Sequence, residues 1–167
     1  MQKRFLLKSI VVSALLASTG LMAQEKFKIG LILPMTGPFA STGKQIEAAA
    51  KLYIAQNGDM VAGKKVELIV KDDTSAPDVT KRIAQEMVIN DKVSVLAGFG
   101  LTPLALATAP IATQSKTPLV VMAAATSSIT EASPFIIRTS FTLPQAAVGL
   151  ADWAPKNNIK KVVTLVS

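Results

Sequence analysis

Val120–Ser128 reads VVMAAATSS, and how this stretch is read decides the fold. Branched side chains give way to methyl groups, and the methyl groups give way to hydroxyls. A strand that merely ends at a surface turn more often finishes on Gly, Asn, Asp or Pro. Losing bulk first keeps side chains away from the main chain, and the hydroxyls of Thr126, Ser127 and Ser128 then offer hydrogen bonds. A close-packed strand-to-helix turn explains the pattern equally well when the stretch stands alone.

Working outward from it, the same strand–turn–helix unit recurs along the chain. Phe27–Leu33 (FKIGLIL) is a short, nearly continuous apolar run stopped by Pro34, as expected of a strand covered on both faces. A Gly/Pro/Ser/Thr loop, Pro34–Gly43, leads into an Ala-rich amphipathic helix over Gln45–Gln56, with Ile46, Ala49, Ala50, Tyr53 and Ile54 on one stripe and Asn57-Gly58 as its stop. Further strands are predicted at Lys65–Val70, Val93–Ala97 and Leu119–Met122. The helices between them run from Asp78 to about Asn90 and from Pro103 to Gln114. A last helix after Pro144 runs to about Asn157, and a strand over Lys160–Val166 follows it. Strands alternating with helices of this length imply βαβ units on a parallel sheet, an α/β fold with right-handed crossovers. No internal repeat or low-complexity segment interrupts them.

The first 23 residues form a separate unit. Lys3, Arg4 and Lys8 precede an apolar core at Ile10–Leu16, and Ala17–Ala23 is small and mixed, the order of a secretory signal. The apolar run falls short of the roughly 20 residues that a membrane span needs. Cleavage near Ala23 is therefore expected, with a mature chain that is exported and not membrane-spanning. The signal holds three of the 18 basic residues, so 15 remain against 11 acidic ones and the net charge falls from +7 to +4. The remaining lysines are scattered without interleaved aromatics, which argues against a nucleic-acid surface. The 167 residues contain no Cys, so no disulfide and no lipid-modified cysteine is available, and half are apolar, enough for a packed core. Ser167 follows an apolar run directly, and the expectation is that a longer protein continues there.

Enzyme chemistry finds little support. The sequence has no His, which removes Ser-His-Asp and Cys-His arrangements and His-ligated metals from this segment. Gly98-Phe-Gly100 has Pro103 where a dinucleotide fingerprint needs its third Gly, and no Walker loop occurs. Asp72-Asp73 could pair on a metal, but two carboxylates alone at a strand end are more often solvated or capping. No cofactor and no metal site is expected. Trp153 and Tyr53 lie on helical stripes and read as core.

In an open α/β sheet, ligands bind beyond the carboxyl ends of the strands. Three such ends are unusual here: Gly37–Gly43, Gly98–Pro103 and Ala123–Ser128. Each feeds a helix, and a helix start offers free N–H groups and positive potential to an anion. Thr102 before Pro103 reads as an N-cap with proline at the first helical position. Its hydroxyl either caps the helix or binds a carboxylate beside the backbone amides. Phe39 and Phe99, in the same loops, could each wall a ligand. One such turn needs no ligand to explain it; three on one edge point to a site.

These segments together resemble a known family. KIGLILPMTGPFASTGKQIEAAAKLYIAQNG, VELIVKDDTSAPDVTKRIAQEMV, VSVLAGFGLTPLALATAPIA, TPLVVMAAATSSITEASPFIIRTS and KKVVTLVS look like the branched-chain amino acid (Leu/Ile/Val-binding) type of extracytoplasmic substrate-binding protein of ABC transporters, in register from about Phe27 onward. The resemblance implies a periplasmic, type I two-lobed Rossmann-like protein that closes like a hinge. Its partners would be a small carboxylate ligand, a membrane permease and paired ATPases. It divides the chain into a signal (1–23), an incomplete first lobe (24–139) and a crossover with the start of the second lobe (140–167).

Residue roles follow from the resemblance only at matching positions. Thr102 stands where hydroxyl and amide bind a ligand carboxylate, and the Gly100–Leu101–Thr102 backbone lines the same pocket. Ala124 and Thr126 stand where a carbonyl and a hydroxyl hold ammonium and carboxylate, and Phe99 adjoins them. Thr42 replaces an aromatic residue that some members place over the ligand, which leaves room for a larger or aromatic acid. The acidic partner of an amino-acid ammonium would come from the second lobe, so amino acid and plain carboxylate stay open. Two alternatives carry other functions: a ligand-sensing domain of the same fold, or a secreted enzyme with its catalytic set further downstream.

Overall fold

The computed structural model describes residues 25–163. Strand β1 (Lys26–Leu33) runs into helix α1 (Ala40–Asn57). A two-residue strand β2 (Met60–Val61) turns tightly into β3 (Lys64–Asp72). Helix α2 (Pro77–Glu86) continues as a wider π turn, Met87–Asp91, before β4 (Val95–Gly98). Helix α3 (Thr102–Ser115), β5 (Leu119–Val121), a 3₁₀ turn (Ser127–Glu131), β6 (Ile136–Arg138) and α4 (Leu143–Lys156) complete the order.

The six strands lie in the order β2-β3-β1-β4-β5-β6, all parallel except the β2–β3 pair. The expected parallel α/β sheet is present, and the 60–61 hairpin, the 3₁₀ turn and β6 are additions that periodicity did not signal. The chain leaves β1 toward β3 on one side and reaches β4 on the other. That puts the reversal of strand order, where open sheets form their crevice, beside the carboxyl end of β1.

Alternation within the strands builds two layers. Ile32, Leu96 and Val121 point to one face and pack with Ile83, Met87 and Ala105 of the α2 and α3 layer. Leu31, Leu33 and Ala97 point to the other, where Ile46 and Ala50 of α1 cover them. Coverage of this second face is partial. An apolar cavity of about 370 Å³ opens between α1 and the sheet, lined by Leu31, Ala97, Val120 and Met122.

The expected α1 stripe is therefore only half sunk: Ala49 is exposed and Tyr53 is 67% exposed, so Tyr53 is not core. Trp153 is likewise 51% exposed, and no residue of α4 is buried, although a Thr142–Gln145 capping box closes its start. A stripe predicts which side of a helix is apolar, while burial depends on what lies opposite. Helix α1 also begins four to five residues earlier than its apolar periodicity, because Ala40–Gly43 already wind over the first loop. Of the expected last strand, Lys160–Val163 carry no strand, and the rest lies outside the described residues, as does the expected signal over 1–23.

Candidate functional site

The carboxyl edge is shaped by close backbone approach. Gly98 ends β4 at φ +117, and a Cβ there would sit 2.2 Å from the Ile32 carbonyl oxygen. Only Gly lets β4 finish this near β1. Phe99 follows in the left-handed region at φ 63, donating its N–H to Ile32 O at 3.0 Å, while its carbonyl accepts the Ala124 N–H at 3.0 Å. The left-handed turn swings the ring into the core, where it is 0% exposed. The expectation of Phe99 as an apolar wall is corrected: its main chain shapes the edge, and its ring does not face a ligand. Phe39, 44% exposed in the first loop, keeps the surface for that role.

Thr102 is the first residue of α3, and Leu101 occupies the cap position in extended conformation. The expected Thr102 N-cap is thus displaced by one residue, and no side-chain cap bond forms. What the hydroxyl does instead is meet Thr126: the two Oγ1 atoms are 2.8 Å apart. Both side chains are half-buried. Two hydroxyls carry two protons, and their mutual bond uses one, so a proton is left for an acceptor. The Leu101 carbonyl accepts from Leu104 and Ala105, whereas the N–H groups of Gly100, Leu101 and Thr102 meet no acceptor among the described residues. A small anion at this helix start would find donors from both directions.

Ala124 is 2% exposed and pinned through its N–H to Phe99, so the three alanines bring main chain, not side chains, to the edge. Thr42 lies half-buried in the first turn of α1, its N–H on the Phe39 carbonyl at 3.0 Å. Thr102, Thr126, Ala124 and the Gly100–Leu101 backbone are brought together. Thr42 sits across the β1–β4 reversal from them.

Asp72 and Asp73 divide their labour. Asp72 accepts the Met35 N–H at 2.9 Å and the Thr74 N–H at 2.9 Å on Oδ1, and the Thr36 hydroxyl at 2.6 Å on Oδ2. It ties the 34–39 loop to the end of β3. Burial works to raise its pKa, but the bonds from Thr36, Thr74 and Met35 outweigh this and hold it below the ordinary carboxylate value. Asp73 is fully buried; its Oδ1 accepts the Ser75 N–H at 2.8 Å and its Oδ2 has no partner. Burial pushes its pKa up, against the Ser75 bond and with the help of the neighbouring Asp72 charge. Both carboxylates bond main-chain N–H groups of the turn after β3, and neither caps α2, whose cap residue is Ala76 with no side-chain bond.

Sequence reasoning missed Arg138. From β6 its Nη2 donates to the Thr126 carbonyl, the residue whose hydroxyl meets Thr102. Nothing local in Ile136-Ile-Arg138 signals this, since the partner is twelve residues back and one strand across.

Comparison with known proteins places the chain in a family. The profile of the periplasmic binding protein family matches residues 26–167. Leu/Ile/Val-binding protein homolog 6 of Brucella abortus (strain 2308) is 41% identical over 166 residues, covering 99% of this chain and 42% of that protein. The chain thus spans less than half the length of this relative. A solute-binding protein of an ABC transporter from Rhodopseudomonas palustris BisB5, solved with 3,4-dihydroxybenzoic acid, superposes with a TM-score of 0.79 at 65% identity, over 81% of this chain and 37% of that one. Its counterpart from R. palustris HaA2, solved with p-hydroxybenzoic acid, gives 0.77 at 44% identity, over 80% and 36%. A leucine-binding protein from Thermotoga maritima gives 0.72 at 30% identity, over 78% and 37%. Among the described residues no helix is long and apolar enough to cross a membrane. By its match over residues 26–167 and its 41% identity to the Brucella relative, the chain belongs to the periplasmic binding protein family.

Proposed function

We propose that this chain supplies one wall of the ligand cleft in the extracytoplasmic, periplasmic receptor of an ABC importer, and that the ligand is a hydroxylated benzoate. The observation that carries the reading is the Thr102–Thr126 hydroxyl pair at the start of α3, beside amides with no acceptor among the described residues. Such a cradle holds a carboxylate by neutral donors, so no counter-charge has to be desolvated. The receptor would bind without catalysis, close around the ligand as a hinge, and hand it to a permease driven by ATPases.

The neighbour at 65% identity was solved with 3,4-dihydroxybenzoic acid, whereas the leucine-binding neighbour stands at 30%. Thr42, small where an aromatic residue can cover an aliphatic ligand, leaves width for a ring.

The test is a thermal-shift screen of the full-length protein against hydroxybenzoates and branched-chain amino acids. A ligand at 100 times its Kd adds about 2.7 kcal/mol of stability. Stabilisation by 4-hydroxybenzoate or 3,4-dihydroxybenzoate and none by leucine is the expected result. Stabilisation by leucine alone would reassign the class, and no shift with any carboxylate would remove the reading.

A further inference from the structure

We propose that Arg138 is a positioning residue for the ligand cradle: it fixes the Thr126 peptide so that the Thr126 hydroxyl stays aimed at Thr102. The proposal rests on the carboxylate-cradle reading above and adds a residue outside the cradle to it.

The geometry is a tether across two strands. Arg138 lies opposite Val121 in the β5–β6 register, and its guanidinium reaches past the end of β5 to the Thr126 carbonyl. Among the described residues that carbonyl otherwise accepts a long bond, 3.3 Å, from Ile129 in the 3₁₀ turn. A guanidinium bond to a carbonyl is charge-assisted and stronger than a neutral one. Thr126 is the residue before the 3₁₀ turn, in extended conformation, and the direction of its side chain follows from the orientation of this peptide. Holding the carbonyl holds the hydroxyl.

The segment after Arg138 grips the same turn. Thr139 donates its N–H to Val121 O at 3.0 Å, and Leu143 donates its N–H to Ala125 O at 2.9 Å. Donors from residues 138–143 thus take the carbonyls of Val121, Ala125 and Thr126, and the chain leaving β6 for α4 moves together with the turn that carries Thr126. Arg138 Nε is buried with no partner among the described residues, so placing the guanidinium here carries a cost. A half-buried Met would fill the space without desolvating a charge, so packing alone does not account for an arginine.

Full-length protein carrying Arg138→Met, Thr126→Val or both should be titrated calorimetrically with 4-hydroxybenzoate. Arg138→Met is expected to weaken binding roughly tenfold. The double variant should bind no more weakly than Thr126→Val alone, because the arginine acts through that hydroxyl. Losses that multiply in the double variant, or undiminished binding by Arg138→Met, overturn the proposal. If Arg138→Met does not fold, Arg138→Lys carries the same cycle with a smaller expected loss. A second readout needs no ligand: in the free protein, amide exchange of Ile129 should quicken in the variant while that of Leu104 in α3 stays unchanged. If the wild type binds no carboxylate, the functional reading falls and the exchange experiment decides the arginine, with unchanged Ile129 protection overturning it.

Discussion

The hydroxyls of Thr102 and Thr126 meet at 2.8 Å although 24 residues separate them in the chain. One is carried by the first turn of α3 and the other by the loop after β5. Parallel pairing of β4 with β5, Leu96 opposite Leu119 and Gly98 opposite Val121, brings both loops to one edge. The pair is a product of register, and a one-residue slip would separate it.

Replacing either hydroxyl tests the cradle directly. In the full-length protein, Thr102→Val and Thr126→Val are each expected to cost about 1–3 kcal/mol of carboxylate affinity, the range for a hydrogen bond to a charged group. Thr102→Ser and Thr126→Ser, which keep the oxygen, should recover most of it. Titration with 4-hydroxybenzoate and with its uncharged amide separates a charge effect from a change in shape. Equal losses for acid and amide would count against a carboxylate at this position.

Gly98→Ala should destabilise the fold by about 2–5 kcal/mol. The new methyl meets the Ile32 carbonyl, and the residue must hold a backbone angle that L side chains rarely adopt. Urea denaturation of the full-length protein gives the number. A loss under about 0.5 kcal/mol, the scale of ordinary surface changes, would show that β4 can part from β1 cheaply.

Asp72→Ala removes three bonds to the 34–39 loop and the turn after β3. Because the carboxylate is half-exposed and screened, the expected loss is about 1–2 kcal/mol rather than the sum of three buried bonds. Amide exchange at Met35 and Thr74 should quicken together, since both N–H groups lose the same acceptor. Quickening at only one of them would mean the loop is held by other contacts.

The two neighbouring aspartates predict opposite pH dependences. Asp72 has a lowered folded pKa, so its contribution is present above the ordinary carboxylate value and is lost as pH falls through its depressed one. Asp73 has a raised folded pKa, so the folded state holds its proton more tightly. Stability is therefore lost as pH rises from the ordinary carboxylate value through the elevated one. Asp73→Asn should abolish the decline on that rising limb, and Asp72→Asn should flatten the falling limb. Denaturation midpoints measured across the acidic range check both signs, and a steeper rising limb in Asp73→Asn would contradict the assignment.

Much of this arrangement was legible from the sequence, and the gaps have physical causes. Apolar runs ended by Pro34, Gly98 and the alanines after Met122 marked three strand ends, because bulk and branching are local signals. Thr102 and Thr126 stood out as hydroxyls beside strand ends. Phe99 was read as a loop residue able to wall a ligand, but its left-handed backbone turns the ring into the core. Tyr53 was misread because an apolar stripe does not say what covers it. Arg138 gave no local signal, its partner being a main-chain carbonyl on another segment.

By itself, then, the amino-acid order determined the alternation of strand and helix, the parallel sheet, and which residues near its carboxyl edge carry oxygen. Hydrophobic periodicity and turn chemistry act within a few residues, and that suffices for such features. Only the tertiary structure decided that Thr102 bonds Thr126 instead of capping its helix, that Asp72 ties a loop from β1, and that Arg138 holds the Thr126 carbonyl. Each of these contacts joins segments 12 to 37 residues apart. Their partners are chosen by strand register and close packing, and neither is written in any one segment alone.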